Sequence, residues 1–434
     1  MSILKKNLHQ FKQYHIVLFL LKWIFICLLI GGLTGSASAI FLWALEWATN
    51  YREANSLIIW LLPIAGLIIG LSYHYLGKSV VKGNNLLLDE YHHPTKKIPF
   101  KMAPLVFLGT ILTHLFGGSA GREGTAVQIG GTIADQFTTV FKLTPKERKI
   151  IIIAGISAGF SAVFGTPLAG AIFALEVMVI GRLKLDAIIP SFLAAIFANY
   201  FCDVWQISHH THYSITKIIA VTPTTIFWSI LAGILFGLVS RLFSKSTHLW
   251  SNLFVKTIKY PPLRPVIGGL ILAIIVYLIG TTKYIGLGIP TIENAFNVQL
   301  NSYDFILKLL FTSFTLGAGF KGGEVTPLFY IGATLGNILV WFIPMPMPLL
   351  AGMGFVAVFA GATNTPIACT IMGIELFGIE SGIFIAIACT TAYLSSGHSG
   401  IYGSQKIGSP KNKFLQGEKG LSLSEIIKHR HRNK

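Results

Sequence analysis

Long apolar segments, separated by short polar or basic intervals, make up most of this chain. The first two occupy residues 16–48 and 57–77. Because about 20 apolar residues form a helix long enough to cross a bilayer, they predict one long tilted helix and one ordinary span. The further apolar segments are 102–117, 126–141, 150–180, 187–202, 219–243, 263–280, 305–319, 325–342, 348–376 and 382–394. The pattern predicts an all-α, multi-spanning membrane protein.

The composition agrees with this prediction. Of the 434 residues, 53% are hydrophobic and only 12% are charged, whereas soluble domains have about 25% charged residues. The basic residues behind the net charge of +17 cluster at segment ends, which fits the positive-inside rule and not a nucleic-acid partner. Residues 1–15 are predicted to be a cytoplasmic segment before a retained first helix, 16–405 the membrane domain, and 406–434 a basic cytoplasmic tail.

Cysteine and histidine give no strong sign of a metal site. The four cysteines are scattered without paired spacing, which is typical of small apolar filler residues. His209, His210 and His212 form a His-His-x-His cluster that could bind a metal, but no acidic or thiol partner lies nearby in the sequence. A solvated loop is the favoured interpretation, and neither a metal nor a cofactor is predicted.

One segment, residues 117–131, combines many glycines with an arginine and a glutamate inside this apolar surrounding. Charged groups at membrane depth are costly, so Arg122 and Glu123 indicate a transport path, a proton relay or a structural ion pair. Glycine lets backbone N–H groups approach a ligand closely, and a helix that begins after such a break can bind an anion at its N-terminus. The alternative is a tight helix crossing in which Arg122 and Glu123 neutralise each other.

The chain also contains an internal repeat. Residues 121–126, which run on to Gly131, resemble residues 322–327, which run on to Gly332, and Glu123 and Glu324 take the same place in the two frames. A Thr-Pro break then precedes a glutamate by the same interval in both halves, at 165–176 and 364–375. Two related halves, about 60–217 and 219–405, predict a substrate site at their interface near the middle of the membrane.

These motifs resemble those of the CLC family of chloride channels and proton-coupled anion antiporters. Residues 121–125 are similar to the family's Gly-Lys/Arg-Glu-Gly-Pro motif, with Thr125 in place of proline, and residues 165–176 are similar to its next segment. The resemblance covers about residues 60–405. It implies a CLC-type transport domain of two inverted halves, with broken helices that meet at a central anion site. It also implies a homodimer in the lipid membrane, with one pore per subunit, that is not an enzyme.

Three departures from the chloride-type pattern indicate one branch of this family. Gly83-Asn84-Asn85 stands where chloride-type members have Gly-Ser-Gly, and Val177 replaces the inner glutamate of chloride/proton antiporters. The second-half motif is Gly-Gly-Glu-Val-Thr-Pro. All three are similar to bacterial fluoride/proton antiporters. This implies export of fluoride across the bacterial inner membrane in exchange for protons. The alternatives are a chloride/proton antiporter, a passive anion channel, and a membrane enzyme, which lacks a nucleophile–base or metal-ligand set.

The resemblance also assigns candidate roles. Fluoride holds its water tightly, so its path needs close hydrogen-bond donors, which Asn84, Thr326 and a tyrosine can supply. Tyr402 is expected to close the inner side, with Tyr393 as the alternative, although Tyr402 could instead be an interfacial aromatic anchor. The residues expected along the anion path are Gly83, Asn84, Gly121, Arg122, Gly124, Gly323, Glu324, Val325, Thr326 and Tyr402.

Glu123 is expected to gate the pore and to couple the two ions. When charged it can occupy an anion position, and when protonated it can move away or carry a proton. Because Val177 cannot titrate, either Glu123 swings inward or the proton travels with fluoride. Glu324 could shape the ion path, pair with Lys321 or cap a helix. The other two repeat glutamates are expected to bind backbone at the helix breaks.

Overall fold

The described part of the chain, residues 12–207, 213–217 and 219–432 of a computed structural model, is almost entirely helical. Its α-helices are α1 (Lys12–Ala54), α2 (Leu62–Leu71), α3 (Asn84–His92), α4 (Met102–Leu115), α5 (Glu123–Val140), α6 (Pro145–Phe164), α7 (Pro167–Glu176), α8 (Ile188–Val204), α9 (Pro223–Thr257), α10 (Leu263–Ile279), α11 (Ile289–Asn297), α12 (Asp304–Gly317), α13 (Val325–Leu339), α14 (Met347–Thr363), α15 (Pro366–Phe377), α16 (Gly382–Ser395) and α17 (Leu423–Arg432). Two short strands, β1 (Val179–Ile180) and β2 (Lys406–Ile407), pair in parallel. The cluster His209, His210 and His212 lies outside the described residues.

Only some of the helices are long enough to cross a membrane unaided. Within the described ranges, four segments have the length and composition of a span: Ile16–Ala54, Ser56–Leu76, Leu185–Val204 and Pro223–Thr257. The other apolar helices run for 10–17 residues. The fold is therefore the expected all-α one, in which several apolar helices are shorter than a typical span.

Two long apolar segments of the sequence are each broken into two helices. The predicted segment 150–180 divides into α6 and α7 at Gly165, and 348–376 divides into α14 and α15 at Asn364. Both residues are left-handed, with φ of 70° and 61°, and end the preceding helix. A Thr-Pro pair follows each of them, and the proline begins the next helix. The same local signal thus breaks both halves at corresponding places.

Within each half, glycines allow two helices to touch along their backbones. A Cβ atom on Gly332 of α13 would lie 2.0 Å from the carbonyl oxygen of Gly354 on α14. In the first half, a Cβ atom on Gly130 of α5 would lie 2.2 Å from the carbonyl oxygen of Gly155 on α6. Small residues at such crossings are typical of helix packing in membranes.

Gly332→Ala is expected to lower the free energy of unfolding by about 3 kcal/mol, the upper end for overpacking, because the added methyl meets backbone that can move only if the helices separate. Thermal unfolding of the purified protein in detergent measures the effect. Gly417→Ala is the matched control, since a Cβ atom there meets nothing within 4 Å. Equal melting temperatures for the two variants would contradict the prediction.

The basic tail is folded against the membrane domain. Strand β2 pairs with β1, and Leu423 and Ile426 pack with Ile180 and Ile407 in a small apolar cluster. The polar and basic interval between the predicted apolar segments 219–243 and 263–280 is not a linker for most of its length, because α9 continues as helix to Thr257. Its polar residues in this stretch instead border cavities inside the protein.

Candidate anion site

The two glycine-rich motifs of the repeat meet directly through their backbones. Gly121 and Gly323 form an antiparallel bridge, in which each donates its N–H to the other's carbonyl oxygen at 2.6 and 2.7 Å. Helix α5 begins two residues after the first glycine, and α13 begins two residues after the second. The bridge therefore places the N-termini of both helices side by side, as the repeat predicted. Helix N-termini attract negative charge.

This pairing corrects the register of the repeat. Glu123 is the first residue of α5, whereas Glu324 is the residue before α13, which begins at Val325. The residue equivalent to Glu123 is therefore Val325, and the residue equivalent to Glu324 is Arg122. The prediction that the two glutamates take the same place is wrong by one position. The bridged glycines set the alignment of the two motifs, whereas the prediction aligned their shared Gly-x-Glu sequences.

The Glu123 carboxylate is held at the junction of these two helices. It is 1% exposed and accepts hydrogen bonds from Thr326, at 2.5 Å from the hydroxyl and 3.1 Å from the backbone N–H. A third hydrogen bond comes from the backbone N–H of Arg122 at 3.2 Å. The Nε atom of the Arg122 guanidinium lies 3.6 Å from the other carboxylate oxygen of Glu123. The carboxylate thus occupies a position where donors from both halves converge, which is a position suited to an anion.

A cavity of about 200 Å³ lies next to this junction, and we call it the anion cavity. Asn84, the first residue of α3, lines it, and the amide nitrogen of Asn84 would lie 3.0 Å from a Cβ atom on Gly124. The same Cβ atom would lie 3.8 Å from a carboxylate oxygen of Glu324, so only a glycine at 124 leaves this space open. Gly83 and Tyr402 also line the cavity.

Tyr402 lies beside both the anion cavity and a small apolar gap. It lines both spaces, and the gap is also lined by Asn84, Phe173 and Val177. Tyr393, the alternative candidate, packs instead in the cluster of the tail, where the ammonium of Lys411 lies 4.0 Å from its ring centroid. Of the two tyrosines, Tyr402 is therefore the one beside the site.

Glu324 has no structural partner of the expected kinds. Among the described residues, no hydrogen bond or ion pair joins its carboxylate to Lys321, whose ammonium lies 4.1 Å from the ring centroid of Tyr73. Glu324 is the N-cap of α13 by position, yet its side chain makes no capping hydrogen bond. Its carboxylate instead lines the anion cavity.

Gln128 is a further residue of the candidate site, and it is not part of the motifs that predicted the site. It lines the anion cavity, and its amide donates a hydrogen bond to the carbonyl oxygen of Gly124 at 3.2 Å. It also contacts the loop before α3, since a Cβ atom on Gly83 would lie 3.3 Å from the Gln128 amide. The sequence signal that could have identified Gln128 is its position four residues after Gly124, on the same face of the helix.

The two Thr-Pro breaks are joined by a reciprocal pair of glutamates. Glu176, at the end of α7, accepts hydrogen bonds from the amides of Ile367 and Ala368 in the first turn of α15, at 3.1 and 2.8 Å. Glu375 of α15 accepts hydrogen bonds from two amides in the first turn of α7, at 3.0 and 2.7 Å. The prediction that these glutamates bind backbone at the helix breaks is confirmed.

Glu176→Ala is expected to destabilise the protein by about 3 kcal/mol, because charge-assisted hydrogen bonds contribute about 1.5–3 kcal/mol each and two helix N–H groups lose their acceptor. Glu176→Gln keeps one acceptor oxygen, so its stability should lie between that of Glu176→Ala and that of the wild type. The measurement is the melting temperature in detergent, with Glu380→Ala at an exposed position as control. If Glu176→Ala melts like the control, the capping role is wrong.

Comparisons with known proteins agree with this architecture. The family model described as voltage gated chloride channel matches residues 65–397. A "chloride/fluoride channel protein" of Pseudomonas syringae pv. tomato is 50% identical over 421 residues, which cover 96% of this chain and 93% of the relative. The crystal structure of a CLC-type fluoride/proton antiporter matches with a TM-score of 0.87 and 36% identity, over 89% of this chain and 98% of that one.

A more distant structure shares the fold. A slow cyanobacterial Cl⁻/H⁺ antiporter matches with a TM-score of 0.75 at 19% identity, over 95% of this chain and 98% of that one. The family model covers most of the predicted membrane domain, and the Pseudomonas relative extends the likeness over nearly the whole chain. This membrane protein therefore belongs to the voltage gated chloride channel family, whose CLC fold it has.

Proposed function

We propose that this chain exports fluoride from the bacterial cytoplasm in exchange for protons. The observation that carries the proposal is the Glu123 carboxylate, which is buried between the N-termini of α5 and α13 and bound by Thr326. The name of the Pseudomonas relative and the fluoride/proton antiporter of similar structure support fluoride as the anion. The same fold with chloride as its main substrate is the alternative.

Glu123 couples the two fluxes because one side chain both titrates and competes with the anion. As a carboxylate it accepts hydrogen bonds from three N–H or O–H groups. An anion at this position would accept hydrogen bonds from the same groups. As a neutral acid it binds these donors less strongly, so it leaves and an anion takes its place. Each turnover then requires Glu123 to gain a proton on one side of the site and to lose it on the other.

Fluoride is favoured by donors that can replace its tightly held water. Asn84 contributes its amide N–H groups beside Gly124, and Tyr402 contributes a hydroxyl at the boundary of the apolar gap. The helix N-termini add backbone donors at Val325 and Thr326. A larger, more weakly hydrated anion gains less from such close donors, so the same set discriminates against chloride.

We place the protein in the bacterial inner membrane, with residues 1–15 and 406–434 on the cytoplasmic side and lipid around the membrane domain. The basic composition of both ends supports this orientation. As the family resemblance implies, two copies form a homodimer with one pore in each subunit. Cross-linking in native membranes tests the dimer, and protease access to the tail tests the orientation.

The experiment that tests the function uses purified protein in liposomes loaded with fluoride. A fluoride electrode follows efflux outside, and a pH probe follows proton uptake inside. We expect fluoride efflux to drive proton uptake against a gradient, with little efflux when chloride replaces fluoride. Fluoride efflux without proton movement would identify a passive channel. Equal chloride efflux would identify a chloride antiporter and overturn the role of Asn84.

A further inference from the structure

A second cavity, of about 330 Å³, lies beside the anion cavity, and we call it the inner cavity. It is bordered by α9, by the loop after α16 and by the folded tail, which contributes Leu423. His248 of α9 lines both cavities. This imidazole therefore forms part of the wall between the space that holds Glu324 and the space that reaches the tail.

The surroundings of His248 fit a group that passes protons. The ring is half-buried, and its Nε2 atom lies 3.3 Å from the carbonyl oxygen of Gly400. A carbonyl oxygen can only accept, so the hydrogen bond places the imidazole proton on Nε2 and leaves Nδ1 as the basic nitrogen. An imidazole in this state can take up one proton and release one, and it returns to its starting charge.

The groups on the two sides of His248 differ in kind. On the anion-cavity side, the other titratable or charged side chains are Tyr73, Lys82, Lys321, Glu324 and Tyr402. On the inner-cavity side they are Arg241, Lys245 and His398. In the described part of these linings, Glu324 is thus the only carboxyl group.

The need for such a carrier follows from Val177. This residue lines the apolar gap beside Tyr402, where no side chain in the described lining has a carboxyl group or an imidazole. A proton released by Glu123 therefore meets an apolar wall in that direction. On the anion-cavity side it meets Glu324, whose carboxylate would lie 3.8 Å from a Cβ atom on Gly124, the residue after Glu123.

We propose that His248 relays protons between Glu324 in the anion cavity and solvent in the inner cavity. This inference rests on the proposed fluoride/proton exchange. In the inward direction, neutral Glu324 gives its proton to the imidazole and becomes a carboxylate. The imidazolium then releases one proton to solvent in the inner cavity. The imidazole is then neutral again, Glu324 is a carboxylate that takes up the next proton released by Glu123, and one proton has moved towards the tail.

The test compares His248→Ala with the wild type in the same fluoride-loaded liposomes. We expect proton uptake and fluoride efflux to slow together, by about tenfold or more, as is common when a proton-transfer group is removed. Imidazole added to the buffer should restore much of the rate. Tetramethylammonium at the same concentration should not, because it cannot carry a proton. A purely structural role for His248 would leave the variant slow in both buffers.

Asn252→Ala is the matched control, since Asn252 is exposed on the same helix, lines neither cavity and does not titrate at these pH values. We expect its rates to match the wild type, with no effect of imidazole. Wild-type-like rates for His248→Ala, or a slow variant that imidazole fails to rescue, would overturn the relay while the wild type still exchanges the two ions. Absence of exchange in the wild type would instead overturn the proposed function.

Discussion

Replacement of Glu123 by glutamine is expected to abolish fluoride-driven proton movement. Glutamine has nearly the same shape and can still accept a hydrogen bond from the Thr326 hydroxyl, but it cannot gain or lose a proton in the pH range of transport. Fluoride flux through the variant should become passive, or stop if the neutral side chain blocks the site. The measurement is the initial rate of internal pH change when fluoride leaves the liposomes.

Glu380→Gln provides the control for this experiment, because Glu380 is an exposed carboxyl group and the same chemical change is made. It should retain the coupling of the wild type. Fluoride-driven proton movement that persists in Glu123→Gln would mean that another group carries the proton. Glu324 and His248 would then be the first candidates, since both line the anion cavity.

Asn84→Ser is expected to change the selectivity between anions. The substitution replaces two N–H donors beside Gly124 by one hydroxyl, so a strongly hydrated ion loses more than a weakly hydrated one. We expect the ratio of fluoride to chloride efflux to fall about tenfold, which corresponds to about 1.4 kcal/mol. The ratio is measured with each anion in turn at equal concentration gradients.

Asn297→Ser is a suitable comparison, because it makes the same change at the exposed end of α11. Its selectivity should remain that of the wild type. If Asn84→Ser keeps the wild-type ratio while its total flux falls, Asn84 serves the passage of anions in general. The preference for fluoride would then have to come from the other donors of the site.

The sequence predicted the parts of this molecule that depend on local signals. Glycines and a charged pair in an apolar chain marked the start of α5, and Thr-Pro pairs marked the breaks before α7 and α15. That Glu176 and Glu375 bind backbone amides at the helix breaks was predictable for the same reason, because a buried carboxyl group in the membrane has few partners other than the free amides at helix starts. The exchange of these partners between the two halves was not predicted.

Features that depend on pairing between distant segments could not be read in this way. The register of the repeat depends on the bridge between Gly121 and Gly323, so the shared letters placed Glu324 one residue away from its true equivalent. Gln128 becomes a site residue only when α3 and α5 meet. The polar end of α9 resembled a linker because the cavities that it borders are formed by other segments.

The exchanged glutamate caps have a consequence for how the protein is made. Helix α7 emerges from the ribosome long before Glu375, which lies 207 residues after Leu168. Until Glu375 is in place, the amides in the first turn of α7 lack their final hydrogen-bond acceptor. Glu176 likewise waits for the start of α15. Each half completes the other, and a truncated first half would expose both uncapped amides and an unpaired carboxyl group to lipid. The two halves therefore reach their native state in one joint, late step of assembly.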